Sequence, residues 1–349
     1  MKKIKRSWIL VVLGLILVSC GPSPEAIATM TASVWTPTPL PTPTATPLPY
    51  NAAIDVLNEA GQPVLYAKVQ LMEAGDEKHA VDETGEVQFM NLPGENVTLN
   101  VSSPGYFVSS TTHTIERGEN TIEIKLEQDP NGLLPENACM LGETMIMVED
   151  MQDAEMEEGW QQLSDRLASG APFIEIADDA NQAGNMVLKH FINDEMGHYN
   201  ILRYDEPVGD AALRFDLRIT PGQHVQVGWH DAGEGIYIAF IYQNDARGGV
   251  VEKHLPSDQQ FPVFPFRINI ADQEWHKIEI ATFEGTYSLW IDGVEMGSWQ
   301  DQQPLGPGAF FVDALYIWEP GQITEFDNFS VCELSTPFTT MVVEEEGES

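Results

Sequence analysis

Positive charge is what this chain has least of. Its 349 residues carry 17 Lys and Arg against 54 Asp and Glu, a formal net charge of −37. Lys2, Lys3, Lys5 and Arg6 stand within the first six residues, so the remainder is more one-sided still. Phosphate binding needs a basic footprint, so a nucleic-acid partner is excluded. Electrostatic adhesion to anionic lipid heads is excluded on the same ground. What the balance favours is a solvated, self-repelling surface with cations as charged partners. Cysteine is scarce too: Cys20, Cys139 and Cys332 make three. Long apolar runs are missing apart from Trp8–Val18, which is shorter than the roughly 20 residues a spanning helix needs. Neither HExxH nor GxSxG occurs, which removes the commonest zinc-protease and serine-hydrolase signatures.

What is there begins with an address. A basic start followed by a short apolar run is the pattern of a secretory signal. It ends in Leu17-Val18-Ser19-Cys20, which resembles the lipobox of bacterial lipoproteins. The resemblance implies a signal peptide over 1–19, a lipidated Cys20, and an exported chain held on the membrane and facing outward. More than one acyl chain on that residue would give lasting anchorage where a single chain is marginal. Residues 20–49 then read as a stalk. Nearly alternating prolines in Thr36–Pro49 fix φ and remove donors, which favours an extended polyproline II spacer.

The rest predicts an all-β protein of two sandwiches with an acidic tail at 336–349. Over residues 50–129, short period-2 runs such as Val97-Thr98-Leu99-Asn100-Val101 alternate with turn signals. The segments D-V-L-N-E-A-G-Q-P-V, A-K-V-Q-L, D-E-T-G-E-V-Q-F, N-L-P-G and S-P-G-Y resemble the carboxypeptidase regulatory-like family. That implies a small Ig/transthyretin-like β-sandwich used as a spacer or adhesion module. Over residues 136–335 the pattern is again β. Leu213, Phe215, Leu217 and Ile219 share one face, and Gly235–Tyr242 reads as a middle strand covered on both sides. Asp292-Gly293 between apolar runs predicts a type I′ hairpin. Helix is expected at most within Asp153–Leu167. Glu149–Trp160, Gly184–Leu188, Trp275–Ile280, Leu289–Val294 and Phe326–Val331 resemble the concanavalin A-like jelly rolls. Laminin-G-like and 3-keto-disaccharide hydrolase domains are among these. The resemblance implies a jelly-roll sandwich that binds glycans on a concave sheet or, in some members, cleaves them.

Candidate chemistry follows from that frame. The E-x-D-x-E motif of retaining glycosidases of this fold is absent. Glu175 and Glu279 each stand alone on a strand, so paired carboxylates would have to come from different strands. This favours a non-catalytic glycan-binding or adhesion module, with a glycoside hydrolase and a structural spacer as the alternatives. Sugar rings stack on aromatic faces. Trp229 with His230 at a strand end, Tyr242 and Trp318 are the expected platforms, whereas Trp275 and Trp290 read as core. His224 and His230, six apart, read as surface histidines on one face. In related jelly rolls an acid near the first strand and an Asp in the last hold a structural Ca²⁺; Glu149 or Asp150 and Asp327 occupy those places here. The loop at Asp178-Asp179 is no EF-hand, since Lys189 or His190 falls where the bidentate Glu should be. With Cys20 lipidated, Cys139 and Cys332 are left to form one bridge, which an exported protein permits.

Overall fold

The computed structural model describes residues 47–79, 84–156, 159–164, 174–191, 200–221, 224–242, 248–256, 259–315 and 323–339. Cys20, Trp318 and most of the acidic tail lie outside them. The first seven strands are β1 (Tyr50–Asn58), β2 (Lys68–Leu71), β3 (Asp76–His79), β4 (Glu86–Leu92), β5 (Asn96–Ser102), β6 (Ser109–Thr114) and β7 (Gly118–Leu126). They make two sheets, β4-β1-β7 and β3-β2-β5-β6. Alternation decides which side is buried. Ile54 and Val56 of β1 face Val69 and Leu71 of β2 and Val97, Leu99 and Val101 of β5 in one shared core. β1 runs antiparallel to β4 and parallel to β7.

The second sandwich opens with a single turn of helix, α1 (Pro135–Ala138), and fifteen strands follow. They are β8 (Thr144–Glu149), β9 (Trp160–Ser164), β10 (Ile174–Asp178), β11 (Met186–Phe191), β12 (Asn200–Val208), β13 (Ala211–Ile219), β14 (His224–Asp231) and β15 (Ile236–Tyr242). Then come β16 (Gly248–Leu255), β17 (Gln259–Phe266), β18 (His276–Phe283), β19 (Thr286–Ile291), β20 (Val294–Gln300), β21 (Gly308–Leu315) and β22 (Ile323–Glu333). One sheet of eight runs β10-β11-β22-β13-β18-β19-β20, with β8 beside the second half of β22; the other, of seven, runs β17-β16-β15-β14-β21-β12-β9. Two antiparallel sheets face to face over one core are the jelly-roll arrangement the sequence predicts. The core is filled by the inward alternates: Phe215, Leu217 and Ile219 from one sheet, Val225, Val227 and Val312 from the other.

The helix expected within Asp153–Leu167 is a correction. Trp160–Ser164 is an edge strand paired with β12. Trp160 is drawn into the core against Tyr204, Phe310 and Phe329 at 5.2–5.4 Å between ring centroids, a packing that a helix there would forfeit. The Asp292-Gly293 turn is as expected. Ile291 pairs with Val294, and both turn residues have positive φ (51° and 72°), as type I′ requires.

Cys139 and Cys332 form a disulfide, with 5.8 Å between their Cα atoms, joining the end of α1 to the last strand. The two sandwiches meet tightly. The Gly105 N–H donates to Asp150 Oδ2 at 2.6 Å. A side chain on Gly132 would come within 2.6 Å of Gly105 Cα, so the joint requires glycine there.

Candidate functional site

The outer face of the seven-stranded sheet is built by what the core leaves over. Val225, Val227 and Trp229 of β14 point inward, which turns Gln226 and Gly228 outward. Tyr237, Ala239 and Ile241 do the same for Ile238 and Phe240 on β15. Register then sets rows across the sheet. One runs Ile201, Asp313, Gln226, Phe240, Val250; the next runs Arg203, Phe311, Gly228, Ile238, Glu252. None of these outward residues is exposed. Phe311 and Ile238 retain 7% and 8% of their surface and Asp313 none.

Polar groups on this face are paired and therefore aimed. Gln226 Nε2 donates to Asp313 Oδ2 at 2.8 Å. Arg203 Nη1 lies 3.1 Å from Asp231 Oδ2. His254 Nε2 lies 2.8 Å from Glu252 Oε2, and its ring sits 6.0 Å from that of Phe240. The result is a half-buried aromatic pair beside an amide–carboxylate pair. Asp313, the carboxylate in the middle of the face, has no second carboxylate within glycosidase range among the residues of these two rows. Asp313 and Glu252 lie three strands and one row apart, at least about 14 Å at ~4.8 Å per strand, well beyond the glycosidase range of about 5–10 Å. Asp205 and Asp231 come closer together, but both are engaged by the Arg203 guanidinium that lies between them, at 2.8 and 3.1 Å.

The expected platforms fall elsewhere. Trp229 is 5% exposed and stacks on Tyr237 in the core, which leaves its ring no free face; this corrects the sequence expectation. His230 is corrected too. A bulge after Gly228 puts it at φ 58°, and its ring meets Tyr237 and Tyr287 edge-on, while Nδ1 lies 2.8 Å from Gly306 O. Burial holds its pKa below the usual histidine value. It therefore shares no surface with His224. Tyr242 closes β15 in register with His224 and Gly248, and its side chain, like Trp318, lies outside the described residues. The pair the sequence reading missed is Phe240 with His254. Both sit on the outward parity of their strands, a signal hidden by the near-continuous apolar run of β15. Trp290 is a further correction: it points out of the eight-stranded sheet, while Leu289 and Ile291 beside it fill the core.

The predicted cation ligands gather at the back of the eight-stranded sheet, near the joint. Asp327 Oδ2 accepts from Asn185 Nδ2 at 3.0 Å, and Asn185 Oδ1 accepts from Gln152 Nε2 at 2.8 Å. Gln152 Nε2 is also 2.9 Å from Asp150 O and 3.2 Å from Met186 O. An amide nitrogen with two protons thus occupies a point where three oxygens converge. Burial pushes Asp327 up to about 8, aided by the charges of Asp216 and Asp150, and burial pushes Asp150 up to about 6. Buried oxygens and mutually repelling acids fit a hard cation. Glu149 Oε1 accepts from Met151 N–H at 3.0 Å. Asp179, from the rejected calcium loop, is an ion-pair partner instead, 2.7 Å from Arg218 Nη2.

No family model matches the chain, and no curated protein matches it. Among solved structures it is similar to a carbohydrate-binding module, CBM66 from Bacillus subtilis, at 11% identity over 50% of this chain and 94% of that one, with a TM-score of 0.36. It is similar to a protein of unknown function with a galectin-like fold, also from Bacillus subtilis, at 10% identity over 54% and 95%, with a TM-score of 0.40. A β-1,3-1,4-glucanase (lichenase) from a mouse hindgut metagenome matches at 14% identity over 54% and 98%, again with a TM-score of 0.40. These are likenesses of strand layout over about half of the chain, so function is left to the side chains themselves.

Proposed function

We propose that this chain is a surface lipoprotein, tethered at Cys20, whose second sandwich is a non-catalytic glycan-binding or adhesion module on a Pro/Thr stalk. The observation that carries the binding reading is the seven-stranded sheet's outer face. It sets the half-buried Phe240–His254 pair beside the aimed Gln226–Asp313 pair, while the two described carboxylates that do approach each other, Asp205 and Asp231, are tied up by Arg203. An aromatic face takes the C–H side of a sugar ring, and the Gln226 amide, aimed by the buried Asp313, takes its hydroxyls. Bacteria expressing the full chain should retain a fluorescent soluble polysaccharide, such as a β-glucan, levan or xylan, through buffer washing. Cys20→Ala should release that binding to the medium. With the detergent-solubilised chain, Phe240→Ala should weaken retention in a polysaccharide gel by about tenfold, the worth of one good ring contact. Release of reducing ends, or indifference to every polysaccharide, would sink the reading.

The same proposal places a structural Ca²⁺ between Asp150 and Asp327, held with the oxygens that now surround the Gln152 amide. Its test is a pH series. Asp327 and Asp150 have folded pKa values raised above 3.8, so the folded state binds their protons more tightly than the unfolded state. Their contribution is whole below about pH 4 and is lost as pH rises through 6 and then 8. In EDTA, Tm should therefore fall between pH 5 and pH 9. Added Ca²⁺ should restore it at the alkaline end, and Asp327→Asn should flatten the slope and abolish the response. A Tm that ignores Ca²⁺ at pH 8 counts against the site.

A further inference from the structure

The outer face of the eight-stranded sheet carries a cavity of about 300 Å³ that the reading above does not use. Register explains it. Ala281 of β18 pairs with Ser288 of β19, and Ser288 with Ser298 of β20, so three small side chains floor a trough across the strands. Phe283 stands in the row on one side, and Trp290 with Glu295 in the row on the other. Phe338 roofs it, its ring 6.0 Å from that of Trp290 and tilted by 55°, so that the two rings form a corner rather than a stack. β20 is the last strand of its sheet, so the trough runs out to an edge.

The roof is fixed in place. Arg214 lies 5.3 Å from the Phe338 ring and is itself gripped by Glu143 through two bonds of 2.7 and 2.8 Å. Ser335 Oγ donates to Gly142 O at 3.1 Å, and Leu334 N–H to Asp210 O at 2.9 Å. The lining has needs of its own. Trp290 Nε1 is closed off from solvent, so the indole meets the trough with its ring rather than its N–H. Glu284 and Glu295 border the same space, and neither has a basic partner among the described residues.

We infer that this trough is a second carbohydrate subsite, taking one pyranose unit of a neutral glycan, independent of the seven-stranded face. A small ammonium ligand would answer the carboxylates but leave most of the aromatic corner uncovered. A fatty chain would cover the corner but leave the carboxylates without donors. A sugar ring offers an apolar C–H face to the Trp290–Phe338 corner and hydroxyls that donate to the Glu284 and Glu295 carboxylates. The volume lies at the lower end of ligand pockets, about 300–1,000 Å³, which suits a terminal or single ring rather than a long segment.

The experiment is calorimetric titration of the detergent-solubilised full chain with soluble β-glucan, xylan and galactomannan. Wild type is compared with Phe240→Ala, Trp290→Ala, Trp290→Phe and Ser298→Trp. The Phe240→Ala chain should keep a weaker binding event. Added to it, Trp290→Ala or Ser298→Trp should reduce that event about tenfold or more, whereas Trp290→Phe should keep it within about threefold. Ser298→Trp fills the trough from an exposed position on an edge strand and so guards against a folding artefact. If Phe240→Ala alone abolishes all binding, or if the residual event ignores both trough variants, the inference falls and the sheet-face reading stands. If Trp290→Ala removes all binding while Phe240→Ala removes none, the sheet-face reading falls and this one stands.

Discussion

Arg214→Met is expected to cost the second sandwich about 3–5 kcal/mol in urea unfolding, the range for removing one partner from a buried ion pair. Arg214 is 1% exposed on the outward side of β13 and bridges two strands and a loop. Its Nη1 and Nη2 hold Glu143 at 2.8 and 2.7 Å, and its Nε reaches Glu279 at 3.3 Å. Glu279 has no exposed surface at all. Methionine fills a similar volume, so little of the loss would come from packing; most would come from carboxylates stranded in a dry setting. Arg214→Met with Glu279→Leu should recover a large part of it, because two apolar residues need no partner. A single variant that loses less than about 1 kcal/mol would show that solvent reaches these acids after all. The change would also be felt in binding, since the guanidinium beneath Phe338 positions the roof of the trough.

This cluster shows where sequence reading stops. The sandwich itself was legible, because alternation fixes which side of a strand is buried, and Leu213, Phe215, Leu217 and Ile219 could face only one way. The hairpin at Asp292-Gly293 was legible because its chemistry is local. Glu279 read as a lone acid, because its partner Arg214 is 65 residues away and no local pattern announces the pairing. Trp229 and Trp290 went wrong in opposite directions for one reason. A tryptophan in an alternating strand is placed by parity, and parity is set by which neighbours reach the core. Trp229 shares its parity with Val225 and Val227 and is buried. Trp290 stands between Leu289 and Ile291, which take the core and leave the indole outside. At His230 a bulge shifts the parity, and bulges leave little trace in one sequence. Asp150 and Asp327 were singled out through the resemblance to jelly rolls; the chain of Gln152 and Asn185 that links them could not be read from the sequence.

The Cys139–Cys332 bridge closes the ring that this topology makes, and removing it is expected to be nearly as costly as losing Arg214. The cysteines are 193 residues apart, and freeing a loop of that length is worth on the order of 5 kcal/mol in the chain-entropy model, with about 2–5 found in practice. Cys139→Ala with Cys332→Ala should therefore shift urea unfolding by that amount, and thiol counting on the denatured wild type should find no pair of reactive thiols until reductant is added. Part of the loss should be felt locally rather than through the unfolded chain. A Glu143 carboxylate oxygen and the two sulfurs all lie within 4.8 Å of one another, so the bridge fixes the loop that aims Glu143 at Arg214. A bridge acting through the unfolded state alone would add its effect to that of Arg214→Met. A bridge that also positions Glu143 would leave the combined variant short of the sum by about 0.5–3 kcal/mol, as coupled neighbours do. Additivity within about 0.5 kcal/mol would confine the disulfide to the unfolded state and detach it from the Phe338 roof.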